Sequence, residues 1–314
     1  MTQDGKNIRP AIGAAVLRLL LTPLAILPLK CRLCLAEFLA WILRDVAAYR
    51  RNEVMINLAR SFPEKKYKEL AKISKRFYLH LADIFVETIW FGACRGERGR
   101  KRLNDSRIVD IANPEVFNEV YENSTNVLVL SSHCGNWELL GGWFNYNHDS
   151  KHPLSSDVSE IGVVYKQLSS KTWNRFMADN RCAPLLDTDF RGYLETKEVF
   201  RFAITNRNRK FIYIFPTDQY PYGNAIKHDI GRFLNQDTMV MTGGTALACK
   251  FGMSVSYLRW KSVDRGRYSV ELVPICKDAS GETPEGLMRK YYDLLEKDIQ
   301  DQPWNYLWSH RRWK

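Results

Sequence analysis

The sequence is short of the features that mark a disulfide, metal or nucleic-acid protein. Its seven cysteines, at 31, 34, 94, 134, 182, 249 and 276, are odd in number and scattered over 314 residues. That argues against a disulfide framework and for the reducing side of a membrane. Cys31-Arg-Leu-Cys34 has the bare redox spacing, but it sits in a Leu-rich segment without a strand-to-helix context. Apart from His133, the histidines at 80, 148, 152, 228 and 310 form no compact ligand motif with Asp or Glu, so no metal is expected. His148 and His152 lie in NHDSKHPLSSD and read as exposed turn residues. Zinc-finger spacing, an RRM signature and a continuous basic helix are all missing, which argues against a nucleic-acid partner. No internal repeat is visible.

Acidic charge is also in deficit. Against 46 Lys and Arg stand 35 Asp and Glu, a formal charge of +11, so the surface should attract an anionic bilayer, a phosphorylated substrate or an acidic carrier protein. The 45% apolar content, with Trp 9, Tyr 15 and Phe 15, excludes disorder. A chain of this length can bury one large core or two small ones.

Long apolar runs are confined to the amino terminus. AIGAAVLRLLLTPLAILPL, from Ala11 to Leu29, carries Arg18 as its sole charge and is interrupted by Pro23. An Arg near a bilayer centre costs roughly 2.5–3.5 kcal/mol on insertion scales, so spanning is marginal. A helix lying in one leaflet would let Arg18 snorkel to the headgroups; a Leu-rich helix covering the domain's own core is the alternative. No small-residue cleavage pattern follows the run, so it does not read as a cleaved signal.

Helical periodicity is read over 33–61 and 64–92, with Ser61-Phe62-Pro63 as the break. RGERGRKR at 95–102 reads as a solvated turn or a contact for headgroup or substrate phosphate. Beyond Asn113 the pattern changes. β-rich runs at Asn126–Ser131, Ile161–Tyr165, Phe211–Phe215, Ser254–Trp260 and Tyr268–Pro274 alternate with helical stretches at 171–180, 191–207 and 238–251. This predicts an α/β layer fold with a largely parallel or mixed sheet flanked by helices. A last helix is expected over 286–301. The basic, aromatic tail WNYLWSHRRWK suits either an interfacial belt or a capping contact on the core.

Sites in such sheets gather beyond the carboxyl ends of strands. His133 follows VLVLSS, and Asp218 follows FIYIFPT. On one regular helix His133 and Glu138 would point about 140° apart, but a turn at His133 would let Glu138 accept from one ring nitrogen and leave the other as a base. Ser131, Ser132 and Cys134 raise a hydrolase or thiol nucleophile as alternatives, without a Gly-x-Ser-x-Gly elbow. A structural histidine is a further one.

HCGNWE, residues 133–138, resembles the HxxxxD/E signature of glycerolipid-type acyltransferases, specifically the HxGNWE form of the lipid A biosynthesis acyltransferases. YRRNEVMINLARSFPEK at 49–65, GVVYKQL at 162–168, FIYIFPTDQYPYG at 211–223, FLNQDTMVMTGGTALACKFGMSV at 233–255 and YLWSHRRWK at 306–314 are also similar to that family. The chain departs from it at Arg232-Phe233-Leu234-Asn235, where relatives carry a Phe-Phe-Gly-like element, and at Lys166, where they commonly carry Arg.

The resemblance implies transfer of a fatty acyl chain from a thioester, acyl carrier protein or coenzyme A being the donor, to a hydroxyl of a lipid A precursor, without cofactor or metal. It implies a glycerolipid-acyltransferase-like α/β domain over 49–314 and a membrane-associating helical segment over 1–48, on the cytoplasmic face of a bacterial inner membrane. His133 would be the general base and Glu138 its orienting carboxylate. Asn136, Trp137, Lys166, Arg181 and Asp218 are the expected substrate-binding residues, and an apolar ruler is expected near Trp143, Phe144 and 238–251. Another glycolipid or aminolipid acceptor, a lipid esterase or thioesterase, and an inactive membrane-bound binding protein are the alternatives.

Overall fold

The computed structural model describes residues 8–190, 193–221 and 225–313. Residues 1–7 of the amino-terminal segment, Tyr222 and Gly223 of the FIYIFPTDQYPYG block, and Lys314 of the tail lie outside them. The chain opens with helices α1 (Ile8–Ala25), α2 (Leu29–Trp41), α3 (Arg51–Ser61), α4 (Tyr67–Phe91) and α5 (Gly96–Ser106). Then follow β1 (Val109–Ile111), α6 (Pro114–Glu122), β2 (Asn126–Ser131), a 3-10 helix (Trp137–Asn145), β3 (Ile161–Tyr165) and α7 (Lys171–Arg181). The remainder comprises β4 (Leu194–Glu195), α8 (Val199–Thr205), β5 (Phe211–Pro216), β6 (His228–Phe233), β7 (Gln236–Val240), α9 (Gly243–Phe251), β8 (Ser254–Asp264), β9 (Arg267–Cys276) and α10 (Pro284–Asp301).

Seven strands form one sheet in the order β1-β9-β8-β2-β5-β3-β4. All neighbours are parallel except β8 and β9, which are antiparallel. The mixed sheet flanked by helices is therefore as expected. β2 is buried at all six positions, which requires a layer on each face and explains why its sequence is an unbroken apolar run rather than an alternation. A separate two-stranded unit pairs β6 with β7.

Four local readings need correction. RGERGRKR is no turn but the start of α5, anchored by Leu103, which is fully buried. Of the expected helix over 191–207, Arg191 and Gly192 lie outside the described residues and the remainder holds β4 and the short α8, while that over 238–251 is the end of β7 followed by α9. The predicted helix over 33–61 is interrupted by a π segment at Ile42–Val46 and by left-handed backbone at Ala48 and Arg50. At the departure from the family pattern, Leu234 and Asn235 both take positive φ and form the two-residue turn joining β6 to β7, the backbone that hairpin turns of the primed type require.

The amino-terminal helices α1 and α2 meet at a bend of 114°. Among the described residues no single helix is long and apolar enough to cross a membrane, but the bent pair passes that test together. Ala14 packs on Phe176 and Met177 of α7, and Ala36 and Ala40 pack on Ala82 and Val86 of α4. The opposite faces expose Ile12, Val16, Leu19, Leu20, Phe38 and Trp41, so the pair both covers the domain and offers an apolar surface. Arg18, which a helix lying in one leaflet would let snorkel, pairs with Asp179 of α7 at 2.9 Å. At the β8–β9 turn, Arg265 bonds the Asp83 carboxylate of α4, the Glu37 carboxylate and the Leu33 carbonyl of α2, tying that helix down.

Candidate active site

β2 and β5 run side by side in parallel, with Ser131 opposite Pro216. Two residues further along each strand stand His133 and Asp218, so the register itself brings them together at the carboxyl edge of the sheet. His133 Nδ1 lies 2.7 Å from Asp218 Oδ1, and the His133 backbone N–H donates to Asp218 Oδ2 at 3.0 Å. A carboxylate only accepts, so the Nδ1 position carries a proton and a neutral imidazole keeps its lone pair on Nε2. Burial would push the Asp218 carboxyl up, but the charge and hydrogen bonds of His133 outweigh it and hold its pKa below the ordinary value.

The expected contact between Glu138 and the imidazole is thus made by Asp218. Glu138 lies in the first turn of the 3-10 helix that follows the His133 turn, and both of its oxygens are taken by Arg181, at 2.5 Å to Nε and 2.7 Å to Nη2. Gly141 permits this: a Cβ there would collide with the Arg181 carbonyl, so only glycine lets the end of α7 approach so closely. Burial opposes the charge on Arg181, yet the Glu138 carboxylate outweighs it and raises its pKa above the usual value. Trp137 stands between the two pairs. Its indole N–H donates to Glu138 Oε1 at 3.1 Å, and its ring meets the imidazole edge-on at 4.8 Å.

Asn136 is buried and shapes the turn. Its carbonyl oxygen accepts from the Glu138 backbone N–H, and its amide donates to Glu87 of α4 at 2.8 Å. Tyr268 also donates to Glu87, and burial pushes that carboxyl up to about 7. Gly135 sits at φ +61°, where a Cβ would come within 2.7 Å of Trp260. Lys166 is exposed just beyond β3, at the same edge of the sheet as His133 and Asp218.

The alternative nucleophiles are badly placed. Ser131 and Ser132 are buried, and Cys134 is buried with its thiol pushed well above its ordinary pKa by desolvation. Trp143 belongs to the core, packed on Phe117. Phe144 lines an open cavity of about 520 Å³ of mixed polar and apolar lining, with Asn104, Arg107, His148 and Leu154. Among the described residues no group of three or more His, Cys, Asp or Glu side chains is arranged to hold a metal ion.

Residues that the sequence reading missed complete the site. Gln219 Nε2 lies 3.0 Å from His133 Nε2; its adjacency to Asp218 was the available signal. The tail folds inward and clamps both active loops, so it is a capping contact. Asn305 accepts from the Gly135 N–H, Tyr306 bridges Cys134 and donates to the Asp218 carbonyl, and Arg312 donates to Tyr292, which in turn donates to the Thr217 carbonyl. Burial lowers the pKa of His310 to about 4, with Asp218 and His133 among the charges that act on it.

An imidazole held by a buried carboxylate at one nitrogen, with its other nitrogen aimed away from that carboxylate, is equipped to take a proton from a hydroxyl. Comparison with curated proteins returns no match. The family model for bacterial lipid A biosynthesis acyltransferases matches residues 9–314. The chain belongs to the bacterial lipid A biosynthesis acyltransferase family, and it is an acyltransferase.

Proposed function

We propose that this protein transfers a fatty acyl chain from an acyl thioester to a hydroxyl of a lipid A precursor, on the cytoplasmic face of a bacterial inner membrane. The observation that carries the chemistry is the 2.7 Å contact between His133 and Asp218. His133 Nε2 takes the proton of the acceptor hydroxyl as its oxygen attacks the thioester carbonyl. The C–O bond forms, the C–S bond breaks, and the imidazolium returns the proton to the departing sulfur. Asp218 holds the tautomer and stabilises the imidazolium between these steps. No protein nucleophile is needed.

Glu138 acts on the imidazole through Trp137 and holds Arg181 in a largely buried pair beside the site, while Lys166, exposed at the same edge of the sheet, meets the anionic groups of the substrates. Asn136 sets the turn that presents His133. The donor is acyl carrier protein, whose acidic surface suits a chain of charge +11; an acyl coenzyme A thioester is the other donor to test. Residues 1–48 seat the protein on the anionic bilayer, and 49–314 form the catalytic domain.

Mass spectrometry of reactions containing detergent-dispersed lipid A precursor and either thioester tests this reading. The wild type is expected to add acyl mass to the acceptor, and folded His133→Ala and Asp218→Asn variants to lose that product. Fatty acid released without a labelled acceptor would replace the reading with a thioesterase.

A further inference from the structure

Asp218 accounts for one ring nitrogen of His133, and Gln219 for the other. Of the two ring nitrogens of a neutral His133 only Nε2 keeps a lone pair that can accept a proton, and the Gln219 amide nitrogen lies 3.0 Å from it. With Nδ1–H committed to Asp218, a neutral imidazole accepts a hydrogen bond from the Gln219 amide at the position where an acceptor hydroxyl must dock. The carboxamide also suits the other charge state: turned over, its carbonyl oxygen accepts from the imidazolium N–H.

Gln219 is also held in place from behind. Thr217 N–H donates to the Ser131 carbonyl, Tyr292 donates to the Thr217 carbonyl, and Tyr306 donates to the Asp218 carbonyl. The backbone on which Gln219 sits is therefore fixed, and its partly buried side chain supplies the freedom to move off the ring. Water faces the same obstacle as an alcohol, but it brings no second binding site to help displace the amide; a lipid acceptor does.

We propose that Gln219 caps the catalytic base and is displaced by the acceptor hydroxyl, so that His133 is withheld from water until the lipid is seated. Gln219 is then a positioning and specificity residue: it favours transfer over hydrolysis of the thioester. This rests on His133 acting as the base.

The test uses the full chain in detergent and compares wild type with Gln219→Met, which keeps the length of the side chain and removes its amide, and with Gln219→Asn. Diethylpyrocarbonate reacts with the free imidazole lone pair, and the adduct at His133 is read by peptide mass spectrometry without any substrate. Loss of one neutral hydrogen bond should speed that adduct about fivefold in Gln219→Met. In assays with an acyl coenzyme A thioester, with and without lipid A precursor, the same variant should release more free fatty acid per acyl chain transferred. An adduct rate equal to wild type, or an unchanged ratio of hydrolysis to transfer in a variant with wild-type melting temperature, overturns the proposal. A His133→Ala variant measured alongside separates the two failures. If it still transfers, the base assignment itself is lost; if it is inactive while Gln219→Met behaves as wild type, the cap alone is lost.

Discussion

At the scale of the residue, the site divides into two hydrogen-bonded pairs with different work. His133 and Asp218 are the pair proposed to carry the proton. Replacing Asp218 by Asn keeps the shape but removes the charge that stabilises the imidazolium, so kcat should fall by roughly 100-fold or more with little change in KM, measured as acyl transfer at fixed donor. Glu138 and Arg181 form a largely buried pair, with side-chain exposures of 10% and 19%. Glu138→Ala strands the guanidinium, and thermal or urea unfolding should report a loss of about 3 kcal/mol. Adding Arg181→Met should restore much of that stability, because no unpaired charge then remains; failure to do so would mean that the pair matters for more than charge balance.

At the scale of the element, the tail and the turn depend on each other. Asn305 supplies the acceptor for the Gly135 N–H at 2.9 Å, inside the core. Asn305→Ala leaves that donor unsatisfied and should cost about 1–3 kcal/mol, detected as a lower unfolding midpoint. Gly135→Ala should be worse than a surface substitution, since it meets both the positive φ and Trp260. Elements were legible where an unbroken apolar run stood between breaks, as in β2, β3 and β5, or where β-branched and aromatic residues alternated with polar ones, as in β8 and β9. Those missed carry little such signal: β1 has three residues, and α5 owes its place to Leu103 packing beneath a charged sequence. At β6–β7, buried Leu234 tolerates positive φ while its N–H donates to Glu296, a compensation invisible in local propensity.

At the scale of the molecule, stability should depend on pH through the buried layer beneath the site. Glu87 has its pKa raised by burial from 4.5 to about 7, so the folded chain favours its protonated form. Its contribution is fully present below pH 4.5 and lost as pH rises to about 7, by about 3 kcal/mol. In Glu87→Gln that loss should vanish, so that the variant gains stability relative to wild type across this window in melts followed by circular dichroism. His80 has the opposite sign: burial lowers its pKa from 6.5 to about 4, and stability present above pH 6.5 is lost as pH falls toward 4. The exposed apolar face of α1 makes a separate prediction. Leu19 and Leu20 are 73% and 67% exposed, so Leu19→Glu with Leu20→Glu should abolish or strongly weaken co-sedimentation with anionic vesicles while leaving the melting temperature near wild type.

By itself the sequence determined the α/β class, the histidine at a strand tip and the resemblance of nearly its whole length to one family, because apolar periodicity and a contiguous motif are local properties. The tertiary structure decided which carboxylate serves the histidine. Asp218 is 85 positions away along the chain, and only the parallel register of β2 on β5 makes it the neighbour, while the close approach of α7 at Gly141 draws the nearer Glu138 to Arg181. The cap by Gln219 and the clamp by the tail are likewise products of strand pairing and burial, which spacing along a chain does not encode.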